Sequence, residues 1–507
     1  MKKTMTYAAA IIIALQSSAA LSQALPQTTD SYYKVAADQL ANRLALQPKT
    51  GKAKNIIVFI GDGMSVATVT AGRIYEGQKR GVDGESNNLS MDLFPYVALA
   101  KTYSHDGQVS DSAPTASGMM TGVKMRNDVI GMTSEVKVGD CEASKGKEVT
   151  TIFETAELAG KATGVISTAR ITHATPAGAY AHSSNRDWED DKAMKDQVGK
   201  GCKDIADQLV NWAAGDGFEI AMGGGRQHFL PAEMADIEDE GKTGNRTDKR
   251  NLADEWMKKS NNHFTVFDKA SLDKIDMKTG AKVLGLFERS HMEFEANRAK
   301  DKGGEPSLSE MTKLAIERLQ QDEDGFVLMV EGGRIDHAHH EGSAYRALED
   351  TVAFDAAIKT ALGLINLDET LVLVTADHSH TFTIAGYPVR NNPILGLAVD
   401  VDGKTMLGAD GKPYTTLGYA NGPGALFPAL AEGKTEADPA GIRPDLTGVD
   451  TTSPDFLQQS LVPLSSETHA GDDVAIYANG PMAHLFSGTV EQNYVYHVLS
   501  HASGLGK

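Results

Sequence analysis

Asp336 and His340, in the stretch GRIDHAHHEG, stand four residues apart, so on a helical turn a carboxylate and an imidazole face the same way. Such a pair can hold a zinc ion, though alone it fits a solvated polar face better. Glu331, five residues before Asp336 and at the end of an apolar run, adds an oxygen donor suited to a harder ion such as Mg²⁺. Asp377 and His378, adjacent in VTADHSHTF, can converge on one point only where the chain turns after a strand. His469, in SSETHAGDD, reads singly as a surface histidine. Asp62, in IGDGMS, lies between two glycines that permit close backbone approach to an ion or phosphate, or simply a turn. Ser112, in VSDSAPTASG, has no GxSxG frame and no histidine in the next four positions, so any nucleophilic role needs activation from elsewhere in the chain. Arg186, in SSNRDWEDD, could clamp a phosphate with its planar fork or make an ordinary surface ion pair. GGGR at 223–226 lacks the phosphate-loop pattern and reads as a structural turn.

These residues need elements to present them. NIIVFI at 55–60, TGVIST at 163–168, FVLMV at 326–330 and LVLVT at 371–375 are apolar, β-rich runs. Each empties into a polar cluster: Asp62, the Thr172–Thr175 segment, Glu331 and Asp377-His378 respectively. Open α/β sheets place their sites at such strand ends. Between the runs, 304–321 and 343–365 carry apolar residues at three- and four-residue spacing, as amphipathic helices do. The alternation predicts an α/β fold with a mainly parallel central sheet flanked by helices on both faces. From about 385 to 465 the texture turns to Gly, Pro and Asp, which predicts a crown-like insertion, and DVAIYA at 473–478 with a helical C-terminal segment follows it. A polar, lysine-rich excursion lies near 235–305.

Composition narrows the function classes. The 507 residues carry 68 acidic and 49 basic side chains, a formal net charge of −19. That surface repels nucleic-acid backbones, and any phosphate site on it needs strong local positive charge, which metal ions supply. Residues 1–24 run from two lysines through an apolar stretch to Ser22-Gln23-Ala24, the pattern of a cleaved signal peptide, which leaves residues 25–507 as a catalytic domain with no membrane span. Cys141 and Cys202 are the two cysteines, and in an exported chain such a pair is expected to be bonded.

Taken together, IGDGMS, SDSAPTASG, THATPAG, HSSNRDW, EGGRIDHAHH, TADHSHTF and ETHAGDDV, in that order over about residues 50–500, closely resemble the alkaline phosphatase family. Matched position by position, the resemblance implies that Asp336, His340 and His469 hold one zinc ion. It implies a second zinc on Asp62, Asp377 and His378, joined by the Ser112 oxygen, and a third ion, magnesium, on Asp62, Thr175 and Glu331. Ser112 would be the nucleophile, Arg186 the phosphate clamp, and Asp111 the residue that orients it. His173 and His337 stand where the best-known bacterial members have other residues and resemble the animal enzymes. Their imidazoles leave the third site's choice between Mg²⁺ and a softer ion open. His339 and His380 match no family ligand and read as supporting or structural.

The activity so implied is hydrolysis of small-molecule phosphate monoesters through a phosphoserine intermediate, by a periplasmic or secreted homodimer with two Zn²⁺ and one Mg²⁺ per subunit. A phosphodiesterase or sulfatase of the same superfamily would share the two-metal bed but usually lacks the third ion's ligands and the arginine. A non-catalytic phosphate or metal binder would not need Ser112. An ordinary serine hydrolase would need a histidine beside Ser112 held by a carboxylate.

Overall fold

A computed structural model describes residues 25–425 and 443–506; the expected signal peptide at 1–24 lies outside them. Contacts divide the chain into a small unit ending at Gln47 and a large one beginning at Pro48. In the small unit Asp30 caps the helix Ser31–Ala45, none of whose residues is buried.

The large unit is built on a ten-stranded sheet. In chain order its strands are β1 (Asn55–Gly61), β2 (Tyr96–Lys101), β3 (Ala162–Arg170), β4 (Ile220–Gly224), β5 (His263–Val266), β6 (Lys282–Leu286), β7 (Phe326–Gly332) and β8 (Thr370–Thr375). Three short strands follow, β9 (Ser379–His380), β10 (Phe382–Ile384) and β11 (Leu417–Gly422), and then β12 (Ser460–Pro463) and β13 (His469–Ala470). The last two, β14 (Val474–Asn479) and β15 (Gly488–Glu491), return to the large sheet, whose order is β15-β2-β14-β8-β1-β7-β3-β4-β6-β5.

From β8 to β5 every pairing is parallel, and β14 alone runs against its neighbours β8 and β2. The sheet is therefore mainly parallel, as its sequence predicts. Strands buried on both faces should be apolar throughout, and Ile56–Ile60, Phe326–Val330 and Leu371–Val374 are at most 1% exposed. The four apolar runs are β1, β3, β7 and β8, adjacent in the order β8-β1-β7-β3. Their C-terminal ends share one edge of the sheet. The reversed strand β14 begins at that same edge, which brings His469, a few residues before it, to the ends of the other four.

Leu308–Leu319 and Ala344–Leu364 are the expected helices, the first closed by a Ser307/Glu310 capping box. The lysine-rich excursion is not wholly outside the sheet, because it contributes the edge strand β5 and its neighbour β6. Those strands have four and five residues, too short for period-two patterning to register. Within 385–465, β11 and β12 join β10 in a separate three-stranded sheet.

Candidate functional site

The strand ends and a short helix supply the candidate ligand side chains, and a second helix supplies Ser112. Asp62 directly follows β1, Glu331 is the penultimate residue of β7, and Asp377 and His378 follow β8. His173 caps the short helix Ala174–Ala177 just after β3, with Thr175 inside it. Register places Glu331 beside Ile60 of β1 and Ser167 of β3. Asp336 and His340 lie one turn apart on the helix Arg334–His340, as their spacing predicts. Ser112 is the first residue of the wholly buried helix Ser112–Thr121, whose cap Asp111 accepts the Ala113 N–H at 2.8 Å. Gly63 holds a positive φ of 65°, and a Cβ there would collide with the His380 ring; its N–H donates to Asp377 Oδ1 at 3.0 Å.

Three groups of donor atoms converge at this edge: Asp336, His340, His380 and His469; Asp62, Asp377 and His378; and Asp62, His173 and Glu331. Ser112 Oγ lies 3.0 Å from His378 Nε2. The same nitrogen is 3.3 Å from Asp62 Oδ1 and 3.4 Å from Asp377 Oδ2. Asp336 Oδ1 stands 3.4 Å from His340 Nε2 and 3.3 Å from His469 Nε2.

Backbone carbonyls decide which way the lone pairs point. A carbonyl only accepts, so a ring nitrogen bonded to one must carry the proton. His340 Nδ1–H donates to Glu467 O at 2.6 Å, His469 Nδ1–H to Ser110 O at 2.8 Å, and His378 Nδ1–H to Ser379 O at 3.4 Å. Each Nε2 therefore turns a lone pair inward. His340 and His469 Nε2 are 3.1 Å apart, two acceptors facing one another with no proton between them. Both oxygens of Asp62, Asp377 Oδ2, Glu331 Oε1 and Thr175 Oγ1 are buried with no hydrogen-bond partner. Unpaired acceptors at such depth cost several kcal/mol unless a cation fills the space. The donor set is the N and O set of zinc and magnesium chemistry.

Burial governs the protonation of these groups. It raises Asp62 well above the carboxylate range, with the charges of Asp336 and Glu331 adding to it. Burial likewise pushes Glu331 up to about 8 and, with Asp62 beside it, Asp377 up to about 7. Burial lowers His378 to about 3, so its ring is neutral. For Asp336, burial is outweighed by His340, His380 and His469, and its carboxyl lies well below the usual range. His380 differs from the other rings in its group, because both its nitrogens face carboxylates: Nδ1–H meets Glu467 Oε2 at 2.5 Å and Nε2–H meets Asp336 Oδ1 at 2.7 Å. Against burial, those two bonds hold it cationic, up to about 10.

Arg186 Nη1 donates to Asp111 Oδ1 at 2.9 Å and Nη2 to His173 Nε2 at 3.1 Å. His337, beside Asp336, accepts at Nδ1 from Arg334 Nη1 at 3.2 Å and is lowered to about 3 by burial and that guanidinium. His291 joins His173 and His337 with ring centroids 5.2 and 4.0 Å away, and Arg170 Nη1 abuts its Nε2. Three neutral imidazoles thus accept from three guanidiniums, one to one. The fully buried ring of His339, 4.9 Å from that of His380, bonds Tyr419 Oη at 2.8 Å and Thr68 Oγ1 at 3.0 Å, tying its helix to β11. Cys141 and Cys202 form a disulfide. Among the described residues no helix is long and apolar enough to cross a membrane.

Sequence reasoning missed the supporting parts played by Glu467, Arg170, His291 and Arg334. Nothing in their spacing signals them, because each acts on a residue far along the chain.

The alkaline phosphatase family model matches residues 53–505. The chain belongs to the alkaline phosphatase family. It is 43% identical over 480 residues to the human tissue-nonspecific alkaline phosphatase, covering 93% of this chain and 88% of that one. To the alkaline phosphatase of Gadus morhua it is 42% identical over 476 residues, 92% of this chain and 95% of that one. Among solved structures, Thermus thermophilus alkaline phosphatase aligns with a TM-score of 0.64 at 22% identity, covering 91% and 93% of the two chains. The alkaline phosphatase of the Antarctic bacterium TAB5 aligns with a TM-score of 0.59 at 23% identity, covering 90% and 100%. At those identities the family's bacterial structures share the fold.

Proposed function

We propose that this alkaline phosphatase family member hydrolyses phosphate monoesters through a phosphoserine intermediate, with two Zn²⁺ and one Mg²⁺ per subunit. The observation that carries this reading is the set of inward lone pairs and orphaned carboxylate oxygens gathered around the Ser112 hydroxyl. Asp336, His340 and His469 would hold one zinc, and Asp62, Asp377 and His378 the other, with Ser112 Oγ at its edge. Asp62, Thr175 and Glu331 would hold magnesium, with His173 and His337 beside it. Bound there, the ions supply concentrated positive charge next to the reacting oxygens, the chemistry of Lewis-acid-assisted phosphoryl transfer.

The chain's own groups do the rest. Ser112 Oγ gives up its proton to solvent and attacks phosphorus from the N-terminus of its helix, whose dipole favours an anion. The P–O bond to the ester alcohol breaks as that alcohol leaves with a proton. Arg186, aligned by Asp111, directs its unused N–H donors at two phosphoryl oxygens. Water then hydrolyses the phosphoserine and releases phosphate. A serine-hydrolase reading fails on geometry: the carboxylates crowd the same Nε2 that meets Ser112, whereas a triad needs one on Nδ1, which here meets a carbonyl.

The wider assignment rests on the same family. The N-terminal pattern and the disulfide support export to the periplasm or beyond. Tyr33, Leu40 and Leu44, 40%, 60% and 75% exposed on the helix Ser31–Ala45, offer apolar surface for a homodimer. Residues 385–465 are read as an insertion within a single catalytic domain.

The test is Ser112→Ala assayed with p-nitrophenyl phosphate alongside metal analysis. Loss of most turnover with zinc retained is expected, and EDTA should abolish wild-type activity until Zn²⁺ and Mg²⁺ are returned. Undiminished turnover in the variant, or faster wild-type cleavage of bis(p-nitrophenyl) phosphate or a sulfate ester, would refute the reading.

A further inference from the structure

Glu467 is 1% exposed and engages the Asp336, His340 and His469 group with both its main chain and its side chain. Its carbonyl accepts His340 Nδ1–H at 2.6 Å, and its N–H donates to His340 O at 3.0 Å. Oε2 accepts His380 Nδ1–H at 2.5 Å, and the opposite edge of that ring donates to Asp336 Oδ1 at 2.7 Å. Oε1 accepts the Thr381 N–H at 2.7 Å and the Thr381 hydroxyl at 2.6 Å. His469 lies two residues further on. No Lys or Arg pairs with this carboxylate among the described residues, so its charge is answered through His380.

We propose that Glu467 is a positioning residue for the ion held by Asp336, His340 and His469. The carbonyl fixes His340 in the Nδ1–H tautomer and turns its Nε2 inward. The carboxylate fixes His380, which in turn occupies one direction of approach to Asp336 Oδ1 and sets the angle at which that carboxylate meets the ion. One residue thus orients two of the three ligands, and the chain leading to the third starts from it. Supports of this kind are expected to change metal affinity by about 10–100-fold when removed. A glutamine at 467 keeps the shape but cannot accept from His380 Nδ1–H, Thr381 N–H and Thr381 Oγ–H together, since its amide nitrogen only donates.

The inference rests on the reading that this group holds zinc. Its test is zinc affinity in chelator-buffered zinc, with kcat and KM for p-nitrophenyl phosphate followed across the same series, for the full chain and Glu467→Gln. The expected result is about 10–100-fold weaker zinc retention, with kcat recovering as free zinc is raised and KM little changed. Glu467→Asp, which keeps the charge on a shorter arm, should fall between the two. Wild-type zinc affinity in Glu467→Gln, or a loss of kcat that zinc does not restore, overturns the proposal. Should Glu467→Gln fail to fold, Thr381→Val, which removes only one donor to Oε1, should still weaken zinc retention measurably, and an unchanged affinity overturns the proposal. A wild-type protein that binds no zinc overturns the ion reading as well, a result distinct from any confined to the variants.

Discussion

Replacing Arg186 by alanine removes the guanidinium proposed to clamp the phosphoryl group. Of its five N–H donors, one meets Asp111 at 2.9 Å and one meets His173 at 3.1 Å, which leaves three, two of which can meet two phosphoryl oxygens. A hydrogen bond to a charged group contributes about 1.5–3 kcal/mol, so losing two costs about 3–6 kcal/mol, or roughly 10²–10⁴ in kcat/KM. Arg186→Lys keeps the charge but makes one such bond, so its loss should be about 10–100-fold. The fold should tolerate both changes, because Asp111 keeps its bonds to the N–H groups of Ala113 at 2.8 Å and Asp128 at 2.7 Å. The assay is kcat/KM for p-nitrophenyl phosphate with the metal content of each variant measured, together with the inhibition constant of inorganic phosphate, which should rise in parallel. An alanine variant within about threefold of wild type at full metal content would refute the clamp, and equal losses in the two variants would refute the forked geometry.

Two further outcomes concern stability. Burial pushes Glu157 up to about 7 from 4.5, with Glu219 adding and the Thr163 hydroxyl opposing. A carboxyl raised in the fold contributes stability that is fully present below pH 4.5 and is lost as pH rises through 7, a change of about 3 kcal/mol. Denaturant titrations of metal-saturated protein at pH 5 and pH 9 should therefore differ less in Glu157→Gln than in wild type, and equal differences would dismiss the assignment. Removing the Cys141–Cys202 bridge, whose ends are 61 residues apart, should lower unfolding free energy by about 4 kcal/mol or less in the chain-entropy account. Paired Cys→Ser substitution, followed by denaturant midpoint, checks this, and an unchanged midpoint contradicts it.

Residue types and spacing made the framework and most of the candidate ligands legible. Strands buried on both faces must be apolar, so β1, β3, β7 and β8 were legible as runs, and the polar residues after them were legible as a shared edge. Asp336 and His340 were legible because their spacing matches a helical turn, and the motif set identified the family. Strands β5 and β6 were not, since so few residues carry no period and their pairing comes from strands elsewhere.

How the candidate ligands are held emerges only from the tertiary structure. The reversal of β14 delivers His469 to the edge, a choice of strand direction that no local pattern records. Glu467 reaches back to His340 and His380, Asp111 reaches forward to Arg186, and three backbone carbonyls select the tautomers of three histidines. Hydrogen bonds are short-ranged in space and indifferent to separation along the chain. Residue type and spacing can therefore name the atoms that could bind an ion, but the direction of each lone pair is settled only when distant segments meet.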